Sequence, residues 1–342
     1  MSVTDIKVGL LAYGAIGDEH SIAIQATPGL MVAAVCDTKP ERLVAALELS
    51  PDAQTFTDAH QMLSEGGIDL VVISTPPNSH YTWAKEALTR GLHVMLEKPM
   101  ALTTKECDEL MALATTQGLL LVVYQNRRYD LDFLTIKDLI QGDHIGELFH
   151  YESFVGGYSK PCSYWHSDAA VSGGAIFDWG SHFIDQIMTL VPADVDFVSG
   201  LNQKRVWDHV TNADHAQVTI NFKGGLQAVF INSDLAAARK PKFYILGTKG
   251  ALIGDWDESA GGPVADLPAI ITLHRADGTS QVITHVSQEP YAFYASVVAK
   301  INDGVAMSVV ASQSRDVVAI MQAAEESASA NGKPVSPLLL RT

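Results

Sequence analysis

The stretch Gly9–His20, GLLAYGAIGDEH, decides how the first third of the chain is read. A phosphate-cradling turn between a strand and a helix follows the spacing G-x-G-x-x-G. Here Gly14 and Gly17 fill the second and third places, while Ala12 fills the first. Apolar Ile6–Leu11 reads as the strand before the turn and Ile16–Ala26 as the helix after it. In that setting Gly14 lets the backbone approach a pyrophosphate, and Gly17 lets helix and strand pack closely. Alanine at the first place adds one methyl, which is tolerable if residue 12 keeps a negative φ. Ala12, Gly14, Ala15 and Ile16 are therefore candidate ligands of a dinucleotide.

Asp37 supplies the next element. It ends the strand Met31–Cys36, 20 residues after Gly17, where an acid can bind the adenosine ribose hydroxyls. A carboxylate there also repels a 2′-phosphate, so NAD is expected over NADP; nearby Lys39 argues the other way. The alternative is a structural glycine turn, with Asp37 only capping the strand end.

Working outward, Pro40–Leu49 and segments 79–90 and 103–117 read as helices, and Leu70–Ser74, His93–Leu96 and Leu119–Tyr124 as strands. Continuous apolar strands separated by helices mean a parallel sheet covered on both faces. The expected fold of residues 1–125 is an α/β Rossmann domain, a doubly wound parallel sheet. After Gln125 the rhythm changes. Helices are expected at 131–141, 174–190, Ala292–Asp303 and Ser312–Ala330. Strands are expected at His150–Val155, Val195–Leu201, Ala216–Phe222, Gln227–Ser233, Lys242–Leu246, Ile270–His274 and Gln281–Val286. Turns at Lys223-Gly224-Gly225 and Asp277-Gly278 suit antiparallel hairpins. Residues 126–342 are thus expected to form an α+β domain with a large, mostly antiparallel sheet, binding substrate and joining subunits.

Bulk properties narrow the partners. The chain has 342 residues, 47% hydrophobic and 18% charged, with a formal net charge of -16 and a pI near 5.0. No basic surface exists to attract nucleic acid or anionic membrane, so neither is an expected partner. The opening MSVTDIKVGL has no long apolar region, so no signal peptide and a cytoplasmic location are expected. Cys36, Cys107 and Cys162 are odd in number and show no zinc spacing.

Four further stretches carry chemistry: STPPNSHY from Ser74, LEKP at Leu96–Pro99, YQNRRYD at Tyr124–Asp130, and GGAIFDWGSHFID at Gly173–Asp185. Lys98 falls at the C-terminal end of a parallel strand, where α/β sheets bind ligands. Its cation can hydrogen-bond a reacting oxygen and stabilise alkoxide charge. Asp178 and His182 stand four residues apart, on one helix face. His182 titrates near neutrality and suits proton transfer; Asp178 can accept a hydroxyl hydrogen bond. The same pair read alone is also compatible with a helix-surface pair or two metal ligands. No convincing third and fourth ligands accompany them, so no metal is expected.

Taken together these stretches resemble the Gfo/Idh/MocA family of sugar and cyclitol oxidoreductases, over nearly the whole chain. The resemblance implies that Lys98, Asp178 and His182 are the catalytic residues. It implies that Ser74, Thr75, Pro76, Asn78, His80, Glu97, Lys98, Gln125 and Arg127 join the loop residues and Asp37 in holding the cofactor. Glu97 is expected at the nicotinamide ribose, and the Lys98–Pro99 bond is often cis in this family. Asn126, Arg127, Tyr158, Trp165 and His166 are expected to contact substrate with Lys98, Asp178 and His182. Arg127 or Arg128 read alone serves equally as a structural ion pair. Many relatives carry Trp-Arg where this chain has Trp165-His166.

The expected activity is hydride transfer between nicotinamide and a secondary alcohol of a neutral sugar, sugar derivative or cyclitol. A neutral ring is expected because no arginine lies between Arg128 and Arg205 to clamp an acid. The alternatives are a non-catalytic NAD or sugar sensor, and a glycoside-cleaving enzyme that oxidises its sugar transiently. A homodimer or homotetramer is expected, joined through the second domain's sheet.

Overall fold

The computed structural model describes residues 5–341. In chain order the first elements are β1 (Ile6–Leu11), α1 (Gly17–Ala26), β2 (Leu30–Cys36), α2 (Pro40–Leu49), β3 (Gln54–Phe56), α3 (Ala59–Glu65), β4 (Leu70–Ile73), α4 (His80–Thr89), β5 (His93–Leu96), α5 (Thr104–Gln117) and β6 (Leu121–Val123). Next come α6 (Leu131–Gln141), β7 (Leu148–Gly156), α7 (Ala169–Ser172), α8 (Ala175–Leu190), β8 (Val195–Gln203), β9 (His215–Phe222) and β10 (Gln227–Ser233). The last are β11 (Phe243–Gly247), β12 (Gly250–Trp256), β13 (Ala269–Arg275), β14 (Ser280–Val282), α9 (Ala292–Asp303) and α10 (Ala311–Ser329). Four of these, β3, α3, α7 and β12, are absent from the sequence reading. β3 has three residues and only half-buried or exposed side chains, so it shows no apolar run.

The chain divides into two compact units, residues 1–125 with 289–315, and residues 126–288 with 316–342. The segment 289–315 therefore belongs to the first unit, where the sequence reading puts it in the second. Local composition does not show this return, because it is a packing choice of α9: Tyr294 on that helix hydrogen-bonds His20 on α1.

In the first unit six strands form one parallel sheet in the order β3-β2-β1-β4-β5-β6. Every residue of β4 and β6 is buried, which is why these strands are apolar without alternation. The order reverses between β2 and β4, flanking β1, and ligands of such sheets bind outside the strand C-termini at this place. Local chemistry starts the connecting helices. Thr103 and Glu106 cap α5 reciprocally, and Asp58 caps α3 through the His60 and Gln61 N–H groups.

The second unit holds an eight-stranded sheet, β14-β13-β12-β11-β7-β10-β9-β8. All its neighbours are antiparallel except β7 and β10. One face, with Tyr151, Val218, Phe230, Ile245, Leu252 and Ile271, is buried. Helix α8 packs on β7, β9 and β10, and α6 packs on β13. Register places Glu152, Tyr244, Ile270 and Leu201 on the opposite face, where Tyr244, Ile270 and Leu201 are exposed.

Two buried ion pairs hold the helices of this unit, one joining α6 to the sheet and one joining the turn at Asn126–Tyr129 to α8. Lys242 Nζ donates to Asp132 Oδ2 at 2.7 Å and to the Leu267 carbonyl at 3.0 Å, while Ala269 N donates to the same carboxylate at 2.8 Å. Arg128 grips Asp185 with two bonds of 2.6 Å. Removing one partner of such a pair would strand a buried charge at roughly 3–5 kcal/mol. Among the described residues no helix is long and apolar enough to cross a membrane.

Candidate active site

The first unit presents its loops at the strand C-termini. After β1 the chain turns through Ala12, whose N–H donates to the Cys36 carbonyl at 2.8 Å. Tyr13 N donates to Asp37 Oδ2 at 2.8 Å. These two bonds tie the turn to the end of β2 and leave Ala12 at φ 73. The expectation of a negative φ is thus corrected: the turn needs the left-handed region, and this chain meets it with alanine, a strained choice.

The residues of the turn fit a pyrophosphate. A Cβ on Gly14 would meet nothing within 4 Å, so that side of the backbone is open to a ligand. A Cβ on Gly17 would come within 2.8 Å of the Tyr13 ring, so this position needs glycine for packing. Ile16 offers α1 no side-chain cap, which leaves N–H groups of the first turn for an anion.

Asp37 is buried at 4% exposure. Besides Tyr13 N it accepts from Lys39 N at 2.9 Å and from Arg42 Nη1 at 3.1 Å. The acid thus shapes the turn as well as facing the ribose position. Arg42, which the sequence reading passes over, is drawn beside it from the first turn of α2.

Further along the same edge, Ser74 N bonds the Leu11 carbonyl at 2.9 Å and joins the two loops. Ser79 Oγ donates to Thr75 Oγ1 at 2.8 Å and to the Pro76 carbonyl at 2.7 Å, shaping the Thr75–Asn78 segment. His80 is fully enclosed, with Nδ1 at 2.8 Å from the Pro99 carbonyl and Nε2 at 2.8 Å from the Thr75 carbonyl. It therefore holds the Thr75 loop to the Lys98–Pro99 loop. Burial pushes its imidazole below the usual range, against the two carbonyls. The Lys98–Pro99 peptide is cis.

Glu97 accepts from His20 Nε2 at 3.1 Å and from Lys98 N at 3.2 Å. Burial pushes its carboxyl up, but the His20 hydrogen bond and the His20 and Lys98 charges outweigh it and leave it below the usual range. His20 Nδ1 in turn meets the Tyr294 hydroxyl, and Tyr124 donates to Glu19 at 3.0 Å. His20 and Tyr294 escaped the sequence reading. His20 sits on an ordinary helix face, and Tyr294 comes from 274 residues away.

In the second unit Asp178 and His182 do share one face of α8. His166 Nδ1 lies 4.0 Å from Asp178 Oδ2. The Trp165 ring stacks on His166 at 3.6 Å, and Trp179 lies 5.7 Å from His182. A cavity of about 620 Å³ opens here, within the range of small-molecule sites. Tyr158, His166 and Asp178 line it, together with Asn212, Asp234 and Arg239, which the sequence reading does not name. His182 lines a narrow adjoining cleft with Arg127 and Gln186.

The two arginines next to Asn126 separate. Arg128 is consumed by Asp185. Arg127 pairs with Asp130 at 3.3 Å and with Asp266, and its guanidinium lies over Trp179 at 5.4 Å. Gln125 belongs to the first unit and Asn126 to the second. Among the described residues no group of three or more His, Cys, Asp or Glu side chains could hold a metal ion.

Known proteins share both units. Residues 6–125 match the oxidoreductase family with an NAD-binding Rossmann fold, and residues 133–253 match the GFO/IDH/MocA C-terminal domain. The scyllo-inositol 2-dehydrogenase (NADP(+)) IolW of Bacillus subtilis is 28% identical over 95% of this chain and 94% of its own. The oxidoreductase YdgJ of Escherichia coli is 30% identical over 73% of this chain and 71% of its own. Among solved structures, oxidoreductase yvaA of Bacillus subtilis superimposes with a TM-score of 0.87 at 26% identity, covering 99% of each chain.

The strain at residue 12 is testable. Ala12→Gly is expected to raise stability by about 1 kcal/mol, the relieved left-handed alanine outweighing the added entropy of the unfolded chain. Urea unfolding of the two proteins checks this, and a loss of stability would show that residue 12 is unstrained.

Proposed function

The chain belongs to the Gfo/Idh/MocA oxidoreductase family, and from that premise we propose that it oxidises a secondary alcohol of a sugar, sugar derivative or cyclitol with NAD. The observation that carries this reading is the pairing of an open, uncapped β1–α1 turn in one unit with a polar cavity beside Asp178 in the other. Bound nicotinamide supplies the hydride acceptor. The chain's own residues do the rest. Lys98 holds the reacting oxygen and stabilises its developing charge. His182 takes the hydroxyl proton, and Asp178 orients the ring through a hydroxyl hydrogen bond. Glu97, held by His20, is placed to take the nicotinamide ribose.

A neutral ring was expected from the lack of arginine between Arg128 and Arg205. That ground is withdrawn, because Arg239 reaches the cavity from outside the interval.

The reading is tested by following nicotinamide absorbance over a panel of polyols and sugars. Lys98→Ala is expected to lower turnover roughly 10²-fold or more while leaving NADH affinity nearly unchanged. Equal turnover in the variant would remove Lys98 from the chemistry.

Cofactor choice turns on Asp37. Its carboxylate supports NAD by binding ribose hydroxyls and repelling a 2′-phosphate. Arg42, 3.1 Å from that carboxylate, favours a second reading in which NADP is also taken, as the name of the IolW relative says of that enzyme. Asp37→Ser is expected to weaken NADH binding and narrow the ratio of the NADPH to NADH dissociation constants. An unchanged ratio would confine Asp37 to holding the turn.

We further propose a homo-oligomer joined through the exposed part of the second sheet face, which bears Leu201, Tyr244 and Ile270, beside the buried Phe154, Val229 and Ile231. One face of a sheet buried under helices leaves the other to find its own cover. Light scattering at micromolar concentration is expected to give a dimer or tetramer, and Tyr244→Arg with Ile270→Glu to lower the mass. A monomeric wild type would reject this.

A further inference from the structure

The wall of the cavity opposite the sequence-predicted residues is the segment that leaves β10. It is held firmly. Asp234 N donates to the Asp214 carbonyl at 2.8 Å, and the Asp234 carbonyl accepts from Ser159 N at 3.2 Å and Trp207 Nε1 at 3.4 Å. Ala236 N donates to the Gly157 carbonyl at 3.0 Å. Just before it, Asn232 Nδ2 reaches the Ala175 carbonyl at 3.3 Å and ties this wall to the start of α8.

Two charged side chains of this wall line the cavity, Asp234 and Arg239. The Arg239 guanidinium lies over the Trp256 ring at 5.6 Å, and its Nη2 donates to Glu258. Its Nη1 is buried with no acceptor among the described residues. A buried donor left unmet costs about 1–3 kcal/mol, and an oxygen brought by a ligand of the cavity that Arg239 lines would relieve that cost.

We propose that Asp234 and Arg239 clamp two neighbouring hydroxyls of a neutral polyhydroxylated ring, Asp234 accepting from one and Arg239 Nη1 donating to the other. This deepens the proposed function and rests on it for the ring's identity. The charge balance selects the neutral ring. Asp178 and Asp234 both line the cavity, against one guanidinium already paired with Glu258. An acidic substituent would meet two carboxylates for one shared cation. A diol meets each group with its complement: a carboxylate only accepts, a guanidinium only donates, and a hydroxyl does both. Burial, with Asp214 and Asp178 nearby, pushes the Asp234 carboxyl up to about 6, against the Lys204 cation.

The test is calorimetric titration of the full chain, with NAD present, using myo-inositol, scyllo-inositol, glucose and glucuronate. Asp234→Asn keeps side-chain size, Arg239→Gln shortens the side chain and removes its charge, and circular dichroism checks that both fold. Each is expected to weaken binding of the neutral ring by roughly tenfold or more. A melting temperature close to wild type would separate this from a structural loss. Unchanged affinity in both variants, or no binding of any neutral ring, overturns the clamp. So does wild-type preference for glucuronate lost only in Arg239→Gln, which would make Arg239 an acid receptor. Ring binding without NADH formation sinks the proposed reaction and leaves the clamp standing. NADH formation with unchanged kcat/KM in both variants does the reverse.

Discussion

A strand buried on both faces has no polar face to show water, and that constraint governs the first unit. Every side chain of β4 and β6 is enclosed. Such strands need helices on both sides, and parallel pairing with crossover helices is the arrangement that supplies them. Once all strands run the same way, all their C-termini lie along one edge. The turn after β1, the Ser74–Asn78 loop, Glu97–Lys98 and Tyr124–Gln125 are then neighbours by construction. Function follows from burial here, because the sheet collects on one edge residues far apart in the chain.

That edge is stiffened by hydrogen bonds that do two jobs. Asp37 closes the β1–α1 turn through Tyr13 N and is the acid proposed above to take a ribose. His80 joins the Thr75 and Pro99 carbonyls and fixes the loop that carries Lys98. Glu97 is held by His20, itself met by Tyr294. A site built this way loses little entropy on binding, since its loops are already ordered. The strained Ala12 is the cost of a turn whose two ends are tied to β2.

The second unit solves a different problem. Its sheet buries one face under helices and leaves the other partly exposed, with Phe154, Val229 and Ile231 buried there and Leu201, Tyr244 and Ile270 open. The polar cavity lies beside α8 and the segment after β10, and Lys242–Asp132 and Arg128–Asp185 anchor the helices near it. These ion pairs are poor sources of stability in themselves, because desolvation offsets much of their attraction. They do commit two cations to structure, which is why Arg128 is not available to a substrate.

The sequence by itself determined the parallel sheet, the helices α1, α2, α4 and α5 that cover it, the glycine turn after β1 and the family. Each of these rests on periodicity or on short spacings: the apolar run of β4, the Gly14 and Gly17 interval, the four-residue step from Asp178 to His182. It missed β3, whose three residues have no buried face, and β12, whose glycines at 250 and 254 interrupt the strand pattern. What only the tertiary structure decided is long-range. The return of α9 to the first unit, the meeting of Tyr294 with His20, and Arg42 beside Asp37 leave no local signature. The sign of φ at Ala12 was set by two bonds to residues 36 and 37, not by its neighbours. Asp234 and Arg239 reach the cavity beside α8 for the same reason. A buried donor or carboxylate is specified by what surrounds it in space, and sequence spacing records only what surrounds it along the chain.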